Sequence, residues 1–236
     1  TISKDDIFYT ESRLILADFN NENSFEKEAI NILKELIKTQ EQTSEIYELL
    51  GNIYRYHEKF DLAQEAYSEA IYLHQNSEFD NNNLWLLYFF RGIALEQLKN
   101  YEKSKQDLRK SLALMPDQPQ VLNYLGYMLI EQKENLEEAL GMIRKAVKIS
   151  PQSGYIIDSL AWGLYQLGRY SEAIEPMERA IELEPEDPIV NDHLGDVLWK
   201  VGRKREAYYQ WKKTLLFNPT PELKIEIEKK LDTGLP

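Results

Sequence analysis

The 236-residue chain has no cysteine. That excludes disulfides, thiolate metal sites and a cysteine nucleophile. It leaves the compartment open, because a cysteine-free protein suits reducing and oxidising surroundings alike. No apolar run approaches the ~20 residues needed to span a bilayer, and no signal-peptide pattern is present. Cations are also scarce. Lys and Arg number 28 against 40 Asp and Glu, a net charge of -12. Such a balance repels phosphate backbones, so nucleic-acid binding is not expected. The densest basic run, Lys200 with Arg203, Lys204 and Arg205, is flanked by Asp196 and Glu206 and reads as a solvated loop and helix start.

Catalytic patterns are missing as well. There is no G-x-S-x-G elbow, no G-x4-G-K-[ST] phosphate loop and no H-E-x-x-H zinc pair. Only three histidines occur, His57, His74 and His193. The first two fall near a turn and a loop and read as exposed. His193 lies between acids and is at most part of a ligand surface. No catalytic residue, metal site or cofactor is expected. The chain starts at Thr1 rather than Met, so it is expected to be a processed or truncated piece of a longer array.

What the chain does have is apolar material, 43% of residues, and a period. Leu160, Gly168, Ala173 and Pro185 return 34 residues later as Leu194, Gly202, Ala207 and Pro219. An interval of that length is the signature of stacked helical hairpins. In 154–187 the first helix carries Ile157, Leu160, Ala161 and Leu164 on one face. Gly168 supplies a left-handed turn, Ser171 is placed to cap the second helix, and Pro185 stops it. Ala173 and Ala180 are small where the helices must approach. The unit at 188–221 repeats this with Gly195, Leu198, Trp211 and Pro219. The unit at 119–153 has Leu125, Gly126, Ala139, Ile143 and Ala146, with one extra residue near Lys133 to Asn135. At 85–118, Gly92, Leu95 and Leu108 appear, with Ser104 and Ser111 at the small places. At 44–77, Gly51, Tyr54, Ala63, Tyr67 and Ala70 recur. Seven surplus residues form a loop insertion at 78–84. A degenerate unit, 10–43, has Leu16, Ala17, Ala29 and Leu33. The tail, 222–236, reads as a capping helix with Leu223, Ile227 and Leu231 on one stripe and charges around it.

These landmarks resemble the tetratricopeptide repeat (TPR) family. The small residue after a leucine, the aromatic or leucine three later, the A-x3-aromatic step and the closing proline all match. Asn123 to Tyr127, Asp158 to Trp162 and Asn191 to Asp196 are also similar to bacterial TPR proteins, many of them envelope-associated, which sets a lean towards the bacterial periplasm or envelope over the cytoplasm. The resemblance implies an all-α fold, a right-handed α-solenoid of stacked helix-turn-helix units with a C-terminal capping helix, as a single domain over 1–236. It implies a non-enzymatic protein–protein interaction scaffold rather than an enzyme.

In the family, fixed places on each first helix look into a concave groove. Here these are Tyr56, Phe89, Tyr127, Tyr155, Trp162, Tyr165 and Trp199, with Phe90 and Tyr124 at the edge. Glu45, Glu48, Glu96, Glu131, Asp158, Asp192 and Asp196 are interleaved; Arg55 and Lys200 are the cations. Asp192 and Asp196, four apart, share a helix face. With Asp158 they read either as contacts for a basic or polar ligand or as a solvated acidic patch. Oxygen-only ligands on rigid helices seldom supply the six a divalent cation needs. Asn52 fits one place of the family's carboxylate clamp, but Phe89 stands where the next unit needs lysine, so acidic chaperone tails are not expected to bind. The implied partner is an apolar or basic peptide or protein segment. Two further readings stand beside it: a self-associating structural module, and the regulatory part of a larger envelope assembly.

Overall fold

The computed structural model describes residues 8–22, 25–38, 43–77 and 83–235. Among these it contains thirteen helices and no strand. The chain divides into two compact units, Thr1–Pro116 and Asp117–Pro236.

The first unit holds three helix pairs: α1 (Tyr9–Glu22) with α2 (Glu26–Lys38), α3 (Ser44–Tyr56) with α4 (Phe60–Gln75), and α5 (Leu84–Gln97) with α6 (Tyr101–Leu114). The second holds α7 (Pro119–Glu131) with α8 (Leu136–Ile149), α9 (Gly154–Gln166) with α10 (Tyr170–Leu183), and α11 (Pro188–Lys200) with α12 (Lys204–Thr214). Helix α13 (Pro221–Thr233) follows. Within each unit, each pair packs most densely within itself, then on the next, and first helices also touch successive first helices. Helices α1 and α2 pack on each other, with Ala17, Ala29 and Leu33 wholly buried, although Leu16 is exposed.

The five pairs from α3–α4 to α11–α12 are closed by one recurring turn. Glu58, Lys99, Lys133, Gly168 and Gly202 all have φ between 56° and 86°. In each case the next residue's N–H reaches back to a carbonyl of the last helical turn: Lys59 to Tyr54, Asn100 to Leu95, Glu134 to Leu129, Arg169 to Leu164 and Arg203 to Leu198, at 2.8–2.9 Å. This is the Schellman arrangement, which satisfies carbonyls that the helix end would otherwise orphan. Only two of the five turns use glycine, so the turn is specified by hydrogen bonding as much as by residue type. The extra residue of the third repeat is Asn135, at φ 44°, which precedes α8. Ser171 does not cap α10. The helix starts at Tyr170, Arg169 holds the cap position without a side-chain bond, and Ser171 is exposed within the first turn. Side-chain caps occur instead at Asp187, which accepts from the N–H groups of Ile189 and Val190, and at Thr220, which accepts from Leu223.

Close helix approach explains the small residues. A Cβ added to Gly51, Gly92, Gly126 or Gly195 would press on Tyr67, Leu108, Ile143 or Trp211 of the paired helix. The separation is sixteen residues, and seventeen in the third repeat, where the turn is one residue longer. The fourth repeat solves the contact differently, with Ala161 and Met177 buried in one cluster. Ser104, at a small place, buries its hydroxyl by donating to the Gly92 carbonyl at 2.7 Å.

Candidate interaction surface

The aromatic residues assigned to the groove do not share one environment. Tyr56, at the end of α3, is 72% exposed, and Tyr155, in the first turn of α9, is 50% exposed. Both are free to meet a partner without unpacking a core. Phe89 is different: it is buried at 9% exposure, with its ring 5.5 Å from Phe90. Phe90 in turn stacks near Tyr67 at 6.0 Å and carries the Arg55 guanidinium over its ring at 4.4 Å. Arg55 also donates from Nε to the Tyr67 hydroxyl, which donates to Asn52 at 2.8 Å. Burial pushes the Tyr67 phenol up to about 12, against the opposing pull of Arg55. Arg55 and Asn52 are therefore engaged in packing.

Helix α3 also carries Glu48, half-buried beside Glu45. Burial, and then the neighbouring charge of Glu45, hold the Glu48 carboxyl above the usual carboxylate range. A cation delivered to this place would favour the ionised form and relieve that penalty.

In the second unit, Trp162 lies between two rings. It stacks on Tyr165 at 4.8 Å and on His193 at 4.0 Å, with near-parallel planes. Its Nε1–H donates to Glu131 at 2.8 Å. Tyr165 also meets Tyr170, at 5.2 Å. Trp162 and Tyr165 are thus largely spent on packing α9 against its neighbours. Tyr127 is half-buried, and burial followed by the charges of Glu131 and Asp158 raises its phenol.

The three aspartates are not an open acidic patch. Asp158 is buried, and both its oxygens lie within 2.9–3.0 Å of His193 Nδ1. His193, also buried, is no ligand-surface residue. Burial lowers its basicity, but Asp158 outweighs this, and its pKa stands above the ordinary value. Asp192 and Asp196 are buried around the ammonium of Lys230 from α13, with Nζ at 2.7 and 2.9 Å from Asp192 and 2.9 Å from Asp196. Asp196 also accepts from the indole N–H of the wholly buried Trp211, at 2.9 Å. Among the described residues, no group of three or more His, Asp or Glu is disposed to hold a metal ion.

Trp199 is covered in the same way. Its Nε1–H donates to the Leu235 carbonyl at 3.0 Å. Gly234, at φ 71°, sits so close that a Cβ there would fall 2.2 Å from the ring. The Lys204 ammonium also lies over the ring, 4.5 Å from its centroid. The correction has one physical cause. The side of α11 that the resemblance assigns to ligand is also where the next helix packs, and α13 with its following turn occupies it. Lys230 was the residue that sequence reading missed, counted among charges surrounding α13. Its signal was available: it stands three residues after Ile227 and seven after Leu223, on the same stripe.

A run of consecutive helical hairpins, with first helices side by side within each unit, defines the class of helical-repeat proteins. The comparisons place it more narrowly. Tetratricopeptide repeat models match residues 44–76 and 85–118, and a TPR repeat model matches 164–202. The chain is a tetratricopeptide-repeat protein. No curated protein matches the sequence significantly. Among solved structures, it is similar to the C-terminal part of a TPR repeat-containing protein from Cytophaga hutchinsonii, at TM-score 0.67 and 16% identity over 94% of this chain and 87% of that one. It is similar to a chain of the APC/C hetero-tetramer Cut9–Hcn1, at TM-score 0.77 and 19% identity, over 95% of this chain and 42% of that one. It also resembles YrrB, a TPR protein with an unusual peptide-binding site, at TM-score 0.59 and 16% identity over 84% and 97% of the two chains. At these identities the likeness is one of fold. TPR proteins are interaction scaffolds rather than enzymes, and no helix among the described residues is long and apolar enough to cross a membrane.

Proposed function

We propose that this protein is a scaffold that holds an apolar or basic segment of a partner against its first helices. The observation that carries the reading is the α3 face of the first unit. There Tyr56 stands exposed on the helix that also holds Glu48, an acid kept above its ordinary pKa by burial. A lysine or arginine beside Glu48 and an apolar group against Tyr56 would each gain on binding. In the second unit Tyr155, in the first turn of α9, offers a further exposed anchor. The groove does not extend to Asp192, Asp196 and Trp199, which the chain covers itself.

The test is a peptide array of basic and apolar segments, probed with wild type, Tyr56→Ala, Glu48→Gln and Tyr155→Ala. An aromatic anchor is expected to cost ~2 kcal/mol or more on truncation. If the three variants bind every captured peptide as wild type does, the first-helix assignment is wrong.

A second reading, self-association, is favoured by one observation. Helix α1 exposes Ile15 (64%) and Phe19, with Phe8 just before it on the same side. Exposed apolar patches of this kind mark contact surfaces. Sedimentation of wild type and Ile15→Glu decides it: a concentration-dependent dimer in the first, lost in the second, is the expected result, and a monomer at high concentration rules it out.

A further inference from the structure

Three carboxylates converge on one ammonium beneath the C-terminal helix. Lys230 reaches Asp192 and Asp196 at 2.7–2.9 Å and Glu226, on its own helix, at 3.2 Å. Lys230, Asp192 and Asp196 are all buried, while Glu226 is exposed. One lysine neutralises one aspartate; the second is a surplus negative charge in a place with little water. The same helix end covers Trp199 through the Leu235 carbonyl. The site therefore combines a cover, the face it covers, and an unbalanced charge between them.

We propose that α13 is a proton-held cover on the ligand-facing side of α11, closed when the aspartate pair holds a proton and released when that proton leaves. This adds regulation to the proposed groove, and rests on that reading only for what the uncovered face would bind.

The surroundings agree with the assignment. Facing the pair from α11 is His193, itself tied to Asp158 of α9. From α9 comes the Tyr165 hydroxyl, which burial and then Asp196 hold in its neutral form. From α12 come the Trp211 indole, which donates to Asp196, and Lys204, engaged over Trp199. Burial, then the charge of Asp192, pushes Asp196 up to about 6, and Lys230 only partly opposes this. Burial likewise raises Asp192. When α13 lifts, water returns and Asp196 regains the ordinary aspartate value near 3.9. The closed form thus binds the proton more tightly than the open form. Closure is favoured below pH 4 and weakens as pH rises towards 6. His193, raised above its usual value, has the same sign in its pair with Asp158, but that pair joins α11 to α9 and does not hold α13.

The test is hydrogen exchange by mass spectrometry on the full chain at pH 4.5 and 7.5, corrected for intrinsic rates. Helix α13 is compared with the α7–α8 pair as internal reference. The opening constant of α13 should rise on the order of twenty-fold between the two pH values, while α7–α8 stays unchanged. Asp196→Asn should flatten the profile. Asp192→Asn, which leaves one aspartate for one lysine, should remove the rise as well. A wild-type α13 whose opening does not rise with pH overturns the proposal. So does a rise that persists in a folded Asn variant, or one shared equally by α7–α8. Should the Asn variants not fold, the wild-type comparison still decides. Because no peptide is present, failure here is separate from failure of the groove reading.

Discussion

Gly195→Ala isolates the packing rule that spaces these helices. Alanine is the better helix former by ~1 kcal/mol, so the change would stabilise an isolated α11. In the protein the new Cβ would lie 2.4 Å from Cδ1 and Nε1 of Trp211 and 3.1 Å from Cε2. The indole cannot swing away. It is wholly buried, its N–H is held by Asp196 at 2.9 Å, and Trp199 and Tyr208 flank it at 5.4 and 5.8 Å. Overpacking of this kind costs ~1–3 kcal/mol, and loosening a hydrogen bond to a buried carboxylate costs ~1–2 kcal/mol more. The net expectation is destabilisation by ~2 kcal/mol.

The fourth repeat supplies the control, since it pairs Ala161 with Met177 at the equivalent places. In a Trp211→Met background the flexible thioether can yield, and Gly195→Ala should become neutral or stabilising by up to ~1 kcal/mol. The cycle is read from urea unfolding followed by far-UV circular dichroism, with the coupling energy taken from the four variants. A Gly195→Ala variant that stabilises the wild type, or that costs the same in both backgrounds, would refute the argument that Trp211 dictates glycine here.

Three further outcomes are expected. Lys230→Met leaves two buried aspartates without their cation and should destabilise by ~3–5 kcal/mol at pH 7.5; the loss should shrink at pH 5, where a carboxyl already carries a proton, and thermal melts at both pH values check this. Arg91→Met strips the bidentate partner, at 2.6 and 2.9 Å, from buried Asp107; urea unfolding should show a loss of ~3 kcal/mol or more, with most of it recovered in Arg91→Met/Asp107→Leu. Lys99→Gly relieves a left-handed backbone at φ 60° and should raise stability by ~0.5–1 kcal/mol, visible as a higher urea midpoint with an unchanged slope.

How much of this was legible depended on whether the governing contact is local. Helix pairs could be read from 34-residue spacing because Gly, Ala and Pro act through backbone geometry that follows the chain. Even the degenerate first pair kept its buried Ala17, Ala29 and Leu33. The turns at Glu58 and Lys99 were less legible, since the Schellman bond that fixes them is written in helix length, not in a residue. Trp162 and Trp199 could be assigned to a face, but a face at those places is shared between the groove and the next helix. Only the structure shows that His193 and the C-terminal turn claim it.

The aspartates suggest how that ambiguity can be reduced. In the second unit an acid at the fifth place of a first helix reaches a cation on the next helix of that row. Asp158 meets His193 there, 35 residues on, and Asp192 meets Lys230 in α13, 38 residues on. A cation on the following helix therefore signals an internal pair, not a ligand contact. Glu48 holds the same fifth place in α3, yet in α5 the place equivalent to His193, two before the packing glycine, is Phe90, with Arg55 drawn onto that ring. The acid is half-buried without the internal cation that its counterparts in the second unit receive from the next helix. Its raised pKa follows from that mismatch. By this logic the first unit, not the acid-rich end of the second, is where a basic partner side chain has something to gain.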